Sequence, residues 1–208
     1  KQFAVQSYMW DFPAQYGLWS PTNITTALWL DAADTSTVTT VGGNVSQWND
    51  KSGNNRHATQ STAANQPAYT ANGLTNKNVI NFNAGSSTRL SSALSAVSAT
   101  ESSFIVANAN SANTGQQSLL ASSASGGRQF RLTSTTASLL IQATASVGAS
   151  NSNAPKDAAT IFNCAYLNSG NSTSFFFNGT SAGGSGSTGV GNNSAAQTNC
   201  LGVAGGNG

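Results

Sequence analysis

The sequence has 208 residues, of which only 7% are charged, and its formal net charge is +2. The eight Lys and Arg residues are scattered, so the chain lacks the basic stripe that nucleic-acid-binding proteins carry. It also lacks the run of about 18 apolar residues that membrane insertion requires. The 38% of hydrophobic residues, with 17 aromatics (four Trp, four Tyr and nine Phe), predict a packed core.

Residues 1–20 form an aromatic arm that differs in composition from the rest of the chain. The arm holds six of the 17 aromatic residues, and Phe3, Trp10, Phe12 and Trp19 are the candidate anchors among them. Exposed aromatic clusters mark interfaces. Two interpretations stay open: the arm packs back on its own domain, or it anchors the domain on a neighbouring chain. We assign residues 21–208 to one domain.

Short apolar runs separated by Gly, Asn and Ser turns indicate an all-β domain. Ile80 and Phe82, for example, alternate with Asn81 and Asn83, which places them on one face of a strand. Only 91–99 is predicted to hold a helical turn, and tight turns are predicted at 168–171 and 178–179. This pattern predicts a two-sheet antiparallel jelly-roll sandwich. The predicted strands are 26–31, 44–49, 77–83, 102–110, 117–123, 128–134, 137–143, 159–167, 173–179 and 198–204.

The two cysteines, Cys164 and Cys200, allow either one disulfide or two buried thiols. The sequence has no CxxC or HExxH motif and no Cys/His cluster, which argues against a structural zinc site.

The stretch "VSQWNDKSGNNRHATQ" (45–60) contains Asp50, Lys51, Arg56 and the single histidine, His57. Retaining glycosidases need two carboxyl groups about 5–5.5 Å apart, and the single glutamate, Glu101, has no neighbouring acid that could serve as its partner. No G-x-S-x-G nucleophile elbow accompanies His57. We therefore expect that the protein is not an enzyme.

The stretch permits two further interpretations. Asp31, Asp34 and Asp50 offer the hard oxygen ligands that Ca²⁺ prefers, although Lys51 and Arg56 would repel a cation. The favoured interpretation is structural and needs no cofactor. Trp48 anchors the core, Asp50 accepts backbone N–H groups from Ser52 and Gly53 in an Asx turn, and Lys51 or Arg56 pairs with Asp31 or Asp34.

Several motifs resemble those of a known family. Trp29, Leu30, Asp31 and Ala32 match its W-L-D-A strand, and Trp48, Asp50, Ser52 and Gly53 match its W-x-D-x-S-G loop. "NQP" (65–67) and the strand ending in "FFFNGT" (175–180) continue the match, which covers 19–205. The sequence resembles the LamG-like, concanavalin A-like lectin/glucanase jelly rolls of bacteriophage structural proteins and bacterial surface proteins. The resemblance implies one or two closing strands after "GVAGGNG", where the given sequence stops.

The resemblance implies a non-enzymatic virion surface protein: a capsid decoration, head-fibre or tail-fibre domain, with host adhesion as a further role. Its partners would be other virion proteins or copies of itself, for example in a trimer, and neither nucleic acid nor membrane. The alternative is a carbohydrate-binding module of a secreted or bacterial cell-surface protein. Sugars bind planar aromatic rings with a few polar partners. The candidate ligand-binding residues are Tyr166, Phe176, Arg131 and Gln142.

Overall fold

The protein was analysed as a computed structural model, which describes residues 20–94, 100–112, 117–122, 128–132, 138–142, 146–150, 155–167, 172–182 and 197–201. Residues 1–19, with the anchor candidates Phe3, Trp10, Phe12 and Trp19, lie outside the described residues. Short 3-10 turns occupy Pro21–Asn23, Thr35–Thr37, Ala63–Asn65 and Ala84–Ser86. Among the described residues, no helical segment has the length and apolarity that a membrane span needs.

The described residues form strands that all pair antiparallel. The strands are β1 (Val38–Val41), β2 (Asn44–Trp48), β3 (Ala58–Thr59), β4 (Ala68–Leu74), β5 (Lys77–Asn81), β6 (Leu90–Leu94), β7 (Thr100–Asn108), β8 (Gln117–Ser122), β9 (Arg128–Leu132), β10 (Ser138–Gln142), β11 (Ser146–Ser150), β12 (Ala159–Leu167), β13 (Ser172–Phe177), β14 (Thr180–Ser181) and β15 (Gln197–Leu201).

The strands divide into two sheets. The large sheet runs β11-β10-β9-β8-β15-β6-β3-β2-β4-β5, with β1 pairing to β2, and the small sheet runs β14-β13-β12-β7. The prediction of an all-β, two-sheet antiparallel sandwich is therefore confirmed.

The first core cluster joins the two sheets. Phe162, Cys164 and Phe175 of the small sheet are buried together with Leu132 of the large sheet, and Phe162 meets Phe177 edge-to-face at 5.7 Å. Cys164 packs here as a small apolar side chain. Period-2 alternation explains the set, because residues 162 and 164 lie on the same face of β12.

The second core cluster belongs to the front part of the large sheet. Val45, Ala58 and Leu90 are each 0% exposed, on β2, β3 and β6. Trp48 is half-buried against them, in agreement with its expected anchoring role. The indole N–H of Trp48 is buried, and the described residues offer it no hydrogen-bond acceptor.

Two local predictions were wrong. Residues 26–31 form no strand, because the Trp29 N–H is bonded by the Asp50 side chain and the Trp29 carbonyl by the Lys51 N–H. Of the predicted helical turn within 91–99, residues 91–94 instead belong to β6, where they pair with β15, and residues 95–99 lie outside the described residues. The predicted turn at Asn178-Gly179 is confirmed: φ values of 50° and 79° at these two residues fit the type I′ geometry of a two-residue hairpin.

Candidate functional site

The carboxylate of Asp50 is the centre of the stretch between β2 and β3. Its Oδ1 accepts the Trp29 N–H at 3.0 Å and the Ser52 N–H at 2.9 Å. Its Oδ2 accepts the Arg56 N–H at 3.0 Å and the Ser52 hydroxyl at 2.7 Å. One side chain thus joins the loop after β2 to the segment before β1. We call this arrangement the Asp50 hub.

The protonation of Asp50 reflects two opposing effects. Burial raises the pKa of its carboxyl, but the hydrogen bonds from Trp29, Ser52 and Arg56 outweigh burial and hold the pKa below its usual value. Asp50 is therefore ionised at neutral pH, although it is only 9% exposed.

Further polar side chains bind the segment that the Asp50 hub holds. Asn54 Nδ2 donates to the Thr26 carbonyl at 2.9 Å, and Arg56 Nη1 donates to the Ala27 carbonyl at 2.8 Å. His57 Nδ1 accepts the Asp50 N–H at 3.0 Å, so this ring nitrogen serves the loop backbone. The polar stretch 45–60 therefore holds the segment around Trp29 in place.

Lys51 pairs with the two acids upstream. Its Nζ lies 3.2 Å from Asp31 Oδ2 and 2.7 Å from Asp34 Oδ2, and it sits 4.6 Å from the centre of the Trp29 ring. The hydrogen bond from Lys51, followed by that from Ser36, lowers the pKa of Asp34 to about 2. The Asp34 bond likewise raises the pKa of Lys51, against the opposing effect of burial.

The structure does not bring Asp31, Asp34 and Asp50 together as a Ca²⁺ site. An ammonium group occupies the position between the Asp31 and Asp34 carboxylates, and Asp50 is engaged in its own hub. No group of three potential metal ligands of the His, Cys, Asp and Glu types occurs in the part of the chain that the structure describes. Of the contacts that the structural interpretation predicted, the bond from the Ser52 N–H to Asp50 and the pairing of Lys51 with Asp31 and Asp34 are present. The other backbone N–H groups bonded to Asp50 are those of Trp29 and Arg56 and not that of Gly53, and Arg56 Nη1 donates to the Ala27 carbonyl.

A surface pocket of roughly 350 Å³ opens between the Asp50 hub and the segment after Ser20. The Trp29 side chain and Ile24, which is 52% exposed, provide its apolar lining. Lys51 also lines it, and its other lining residues have hydroxyl or amide side chains: Thr22, Thr25, Thr26, Ser52 and Asn54. We call this the Trp29 pocket; it combines an aromatic side chain with several short polar ones.

A second, broader surface lies on the large sheet. Thr39, Gln47, Thr59 and Ser91 are cross-strand neighbours on β1, β2, β3 and β6 and form a polar row. With Arg89 and nearby glutamines they line a groove of roughly 560 Å³, which we call the polar groove. No aromatic side chain is among the described residues that line it. The sequence analysis did not find this groove. Of its four strands, β1 and β3 were not predicted, and residues 91–94 of β6 fall in the segment that was predicted to hold a helical turn.

The four predicted ligand-binding residues lie on strands of both sheets. Tyr166 and Phe176 lie on β12 and β13 of the small sheet, whereas Arg131 and Gln142 lie on β9 and β10 of the large sheet. That these four residues bind a ligand stays a prediction, since alternation assigns a residue to a face of its strand and says nothing about which sheet that strand joins.

Comparison of the sequence with protein-family models and with curated proteins gives no match. Among solved structures, the fold is similar to that of a botulinum neurotoxin type C chain, with a TM-score of 0.56 and 10% sequence identity. The similarity covers 89% of this chain but only 44% of the neurotoxin chain. Cell entry of that toxin is dependent upon interaction with two ganglioside molecules. At this identity the likeness shows the fold alone.

Proposed function

We propose that the protein is a non-enzymatic glycan-binding module, with the Trp29 pocket as its site. The single observation that carries the proposal is the composition of this pocket, in which Trp29, Ile24 and Lys51 are accompanied by three threonines, one serine and one asparagine. An aromatic face packs against the C–H groups of a sugar ring, while hydroxyl and amide groups exchange hydrogen bonds with its hydroxyls.

Preorganisation supports the proposal. The backbone of Trp29 is bonded on both sides, by Asp50 Oδ1 at 3.0 Å and by the Lys51 N–H at 2.8 Å. The Asn54 amide is fixed on the Thr26 carbonyl. A site whose groups are already held in place loses less entropy when a ligand binds, which matters for weak, water-competed sugar contacts.

The charge at the pocket favours neutral sugars. The ammonium group of Lys51 is paired with the carboxylates of Asp31 and Asp34, so it is already neutralised by two acids. An acidic sugar would have to compete with these carboxylates for the ammonium group. We therefore expect neutral hexoses or N-acetylhexosamines to be preferred over sialylated glycans.

The protein is further proposed to act at the surface of a bacteriophage virion, as a capsid decoration, head-fibre or tail-fibre domain. The motif resemblance, the low charge and the aromatic arm support this placement. The arm would join the domain to other virion proteins or to copies of itself. The alternative is a secreted or bacterial cell-surface module, in which the same pocket would serve. Competition for phage adsorption by the purified chain tests the adhesive form of the virion proposal, because a virion adhesin would block adsorption.

A glycan array with the purified full-length chain tests the binding proposal. Thr25 is an exposed pocket residue, and Thr25→Tyr would fill the pocket. Thr70→Tyr places the same side chain at an exposed position of β4, away from the pocket, and is the matched control. We expect neutral glycans bound by the wild type to be lost in Thr25→Tyr and kept in Thr70→Tyr. Array binding that Thr25→Tyr leaves unchanged would contradict the assignment.

A further inference from the structure

The outer face of the small sheet carries large apolar side chains where polar ones are expected. Phe104 and Val106 on β7 are 64% and 65% exposed, and Ile161 on β12 is 46% exposed. The pairing register places Ile161 beside Val106, and Asn163 between Phe104 and the half-buried Phe176 of β13. These four apolar residues form one contiguous patch, which we call the apolar strip.

The residues of the apolar strip are not needed to form the core. The alternate residues Ile105, Ala107 and Phe162 already supply the side of these strands that faces the core. A sheet with one solvated face normally alternates apolar and polar residues, and exposed contiguous apolar patches mark interaction sites. Ser102 and Asn108, the exposed positions beyond Phe104 and Val106 on the same face of β7, provide a polar rim.

We propose that the aromatic arm of this chain covers the apolar strip. The arm has six aromatic residues within 19 positions, while its charged residues are Lys1 and Asp11 alone. The described residues on the outer face of β7 and β12 are likewise uncharged. Uncharged aromatic side chains on an uncharged apolar face gain from burial without the desolvation of a charge.

Length and area fit this occupant. Nineteen extended residues reach about 60 Å, whereas a domain of this size has a radius of gyration of about 17 Å. The arm can therefore reach the strip from Ser20 on its own domain or on a neighbouring copy. A buried aromatic side chain removes about 150–250 Å² of its own surface from water, so each ring of the arm that docks on the strip contributes a sizeable apolar area.

The inference shares with the proposed function only the idea that the arm docks, and it does not depend on glycan binding. Limited chymotrypsin digestion of the full-length chain, followed by mass spectrometry, tests it. In the double variant Phe104→Ser/Val106→Thr, we expect cleavage within residues 1–19 to be about tenfold faster, because the equilibrium constant for docking of the arm should be about tenfold lower. Val41→Thr is the matched control, because Val41 is 64% exposed on β1 of the large sheet; its arm should be cut at the wild-type rate.

A second variant leaves the sheet intact. Trp10→Ser/Phe12→Ser changes only the arm, and it should increase the binding of an apolar dye such as ANS by uncovering the strip. This increase should disappear when Phe104→Ser/Val106→Thr is added. Dependence of arm protection on protein concentration would identify a neighbouring copy as the donor of the arm.

Two results would overturn the inference. One is an arm that is cut at the same rate in the wild type and in Phe104→Ser/Val106→Thr, with no gain in dye binding for the arm variant. The other is a wild-type dimer that this double variant dissociates while arm cleavage stays constant, which would identify the sheet face of a second copy as the occupant. Loss of glycan binding in Thr25→Tyr would change neither readout, so the two proposals fail independently.

Discussion

Removal of the Asp50 carboxylate should strongly destabilise the domain. In the wild type, Asp50 accepts three backbone N–H groups at 2.9–3.0 Å, from Trp29, Ser52 and Arg56. Asp50→Ala leaves these donors in place without their acceptor. A buried donor that loses its partner costs about 1–3 kcal/mol. Taking about 1–1.5 kcal/mol for each donor, because water can reach part of the loop, three donors give a loss of about 3–4.5 kcal/mol.

Urea denaturation followed by tryptophan fluorescence measures this loss. With a slope of about 2 kcal/mol per M, the midpoint should fall by about 1.5–2 M. Asp50→Asn and Asp157→Asn form a matched pair of conservative changes. Asp157 is exposed, accepts one backbone N–H from Ser111 at 2.9 Å and has a φ of 57° that Asn tolerates. Asp157→Asn should therefore leave the midpoint near that of the wild type, and Asp50→Asn should lower it clearly.

A small effect would refute the reasoning. If Asp50→Ala shifts the midpoint by less than about 0.5 M, corresponding to about 1 kcal/mol, the three donors are satisfied without the carboxylate. The Asp50 hub would then not be what holds the Trp29 segment, and the preorganisation of the Trp29 pocket would lose its physical basis.

Three further outcomes are expected. Folding lowers the pKa of Asp34 from 3.8 to about 2, so its contribution to stability is complete above about pH 5 and is lost as the pH falls towards 2. Melting temperatures between pH 5 and 2 should therefore fall less steeply in Asp34→Asn than in the wild type, and parallel curves would contradict this. Asn178→Ala should cost about 1–2 kcal/mol in urea denaturation, because Asn178 has a φ of 50° and its Oδ1 accepts the Ile161 N–H at 2.8 Å; an unchanged midpoint would count against it. Phe162→Ala should cost about 3–5 kcal/mol in the same assay, since Phe162 is 0% exposed, and a cost below about 1 kcal/mol would show that the cluster repacks around the gap.

Strands bounded by clear turn sequences could be predicted from the sequence. β12 was predicted with the bounds 159–167, as observed, because its apolar run is followed by "NSGN" and a second apolar run, the pattern of a hairpin. β4 was missed because "AYTANGL" lacks such alternation, and its pairing with β5 shifts register between Thr70 and Leu74, near a φ of 54° at Asn72. Local pattern carries little information about a strand that a bulge interrupts.

The segment 26–31 shows a different limit. "TALWLD" has the composition of a strand, yet its Trp29 N–H is bonded by a side chain 21 residues away. The local bond from the Ser52 N–H to Asp50 could be anticipated from the Asx-turn chemistry of "NDKSG". The bond from the distant Trp29 N–H could not. The same limit applies to Arg131 and Phe176, which were predicted to belong to one ligand site but lie on different sheets.

The most direct test of the proposed site is the affinity of the best neutral glycan from the array, measured by titration calorimetry. The account predicts that Trp29→Ala weakens binding by at least about tenfold, or 1.4 kcal/mol, while Arg89→Ala in the polar groove leaves the affinity unchanged. Unchanged binding in Trp29→Ala together with a loss in Arg89→Ala would contradict the account and move the site to the polar groove. Absence of measurable binding to any glycan by the wild type would contradict the glycan-binding proposal itself.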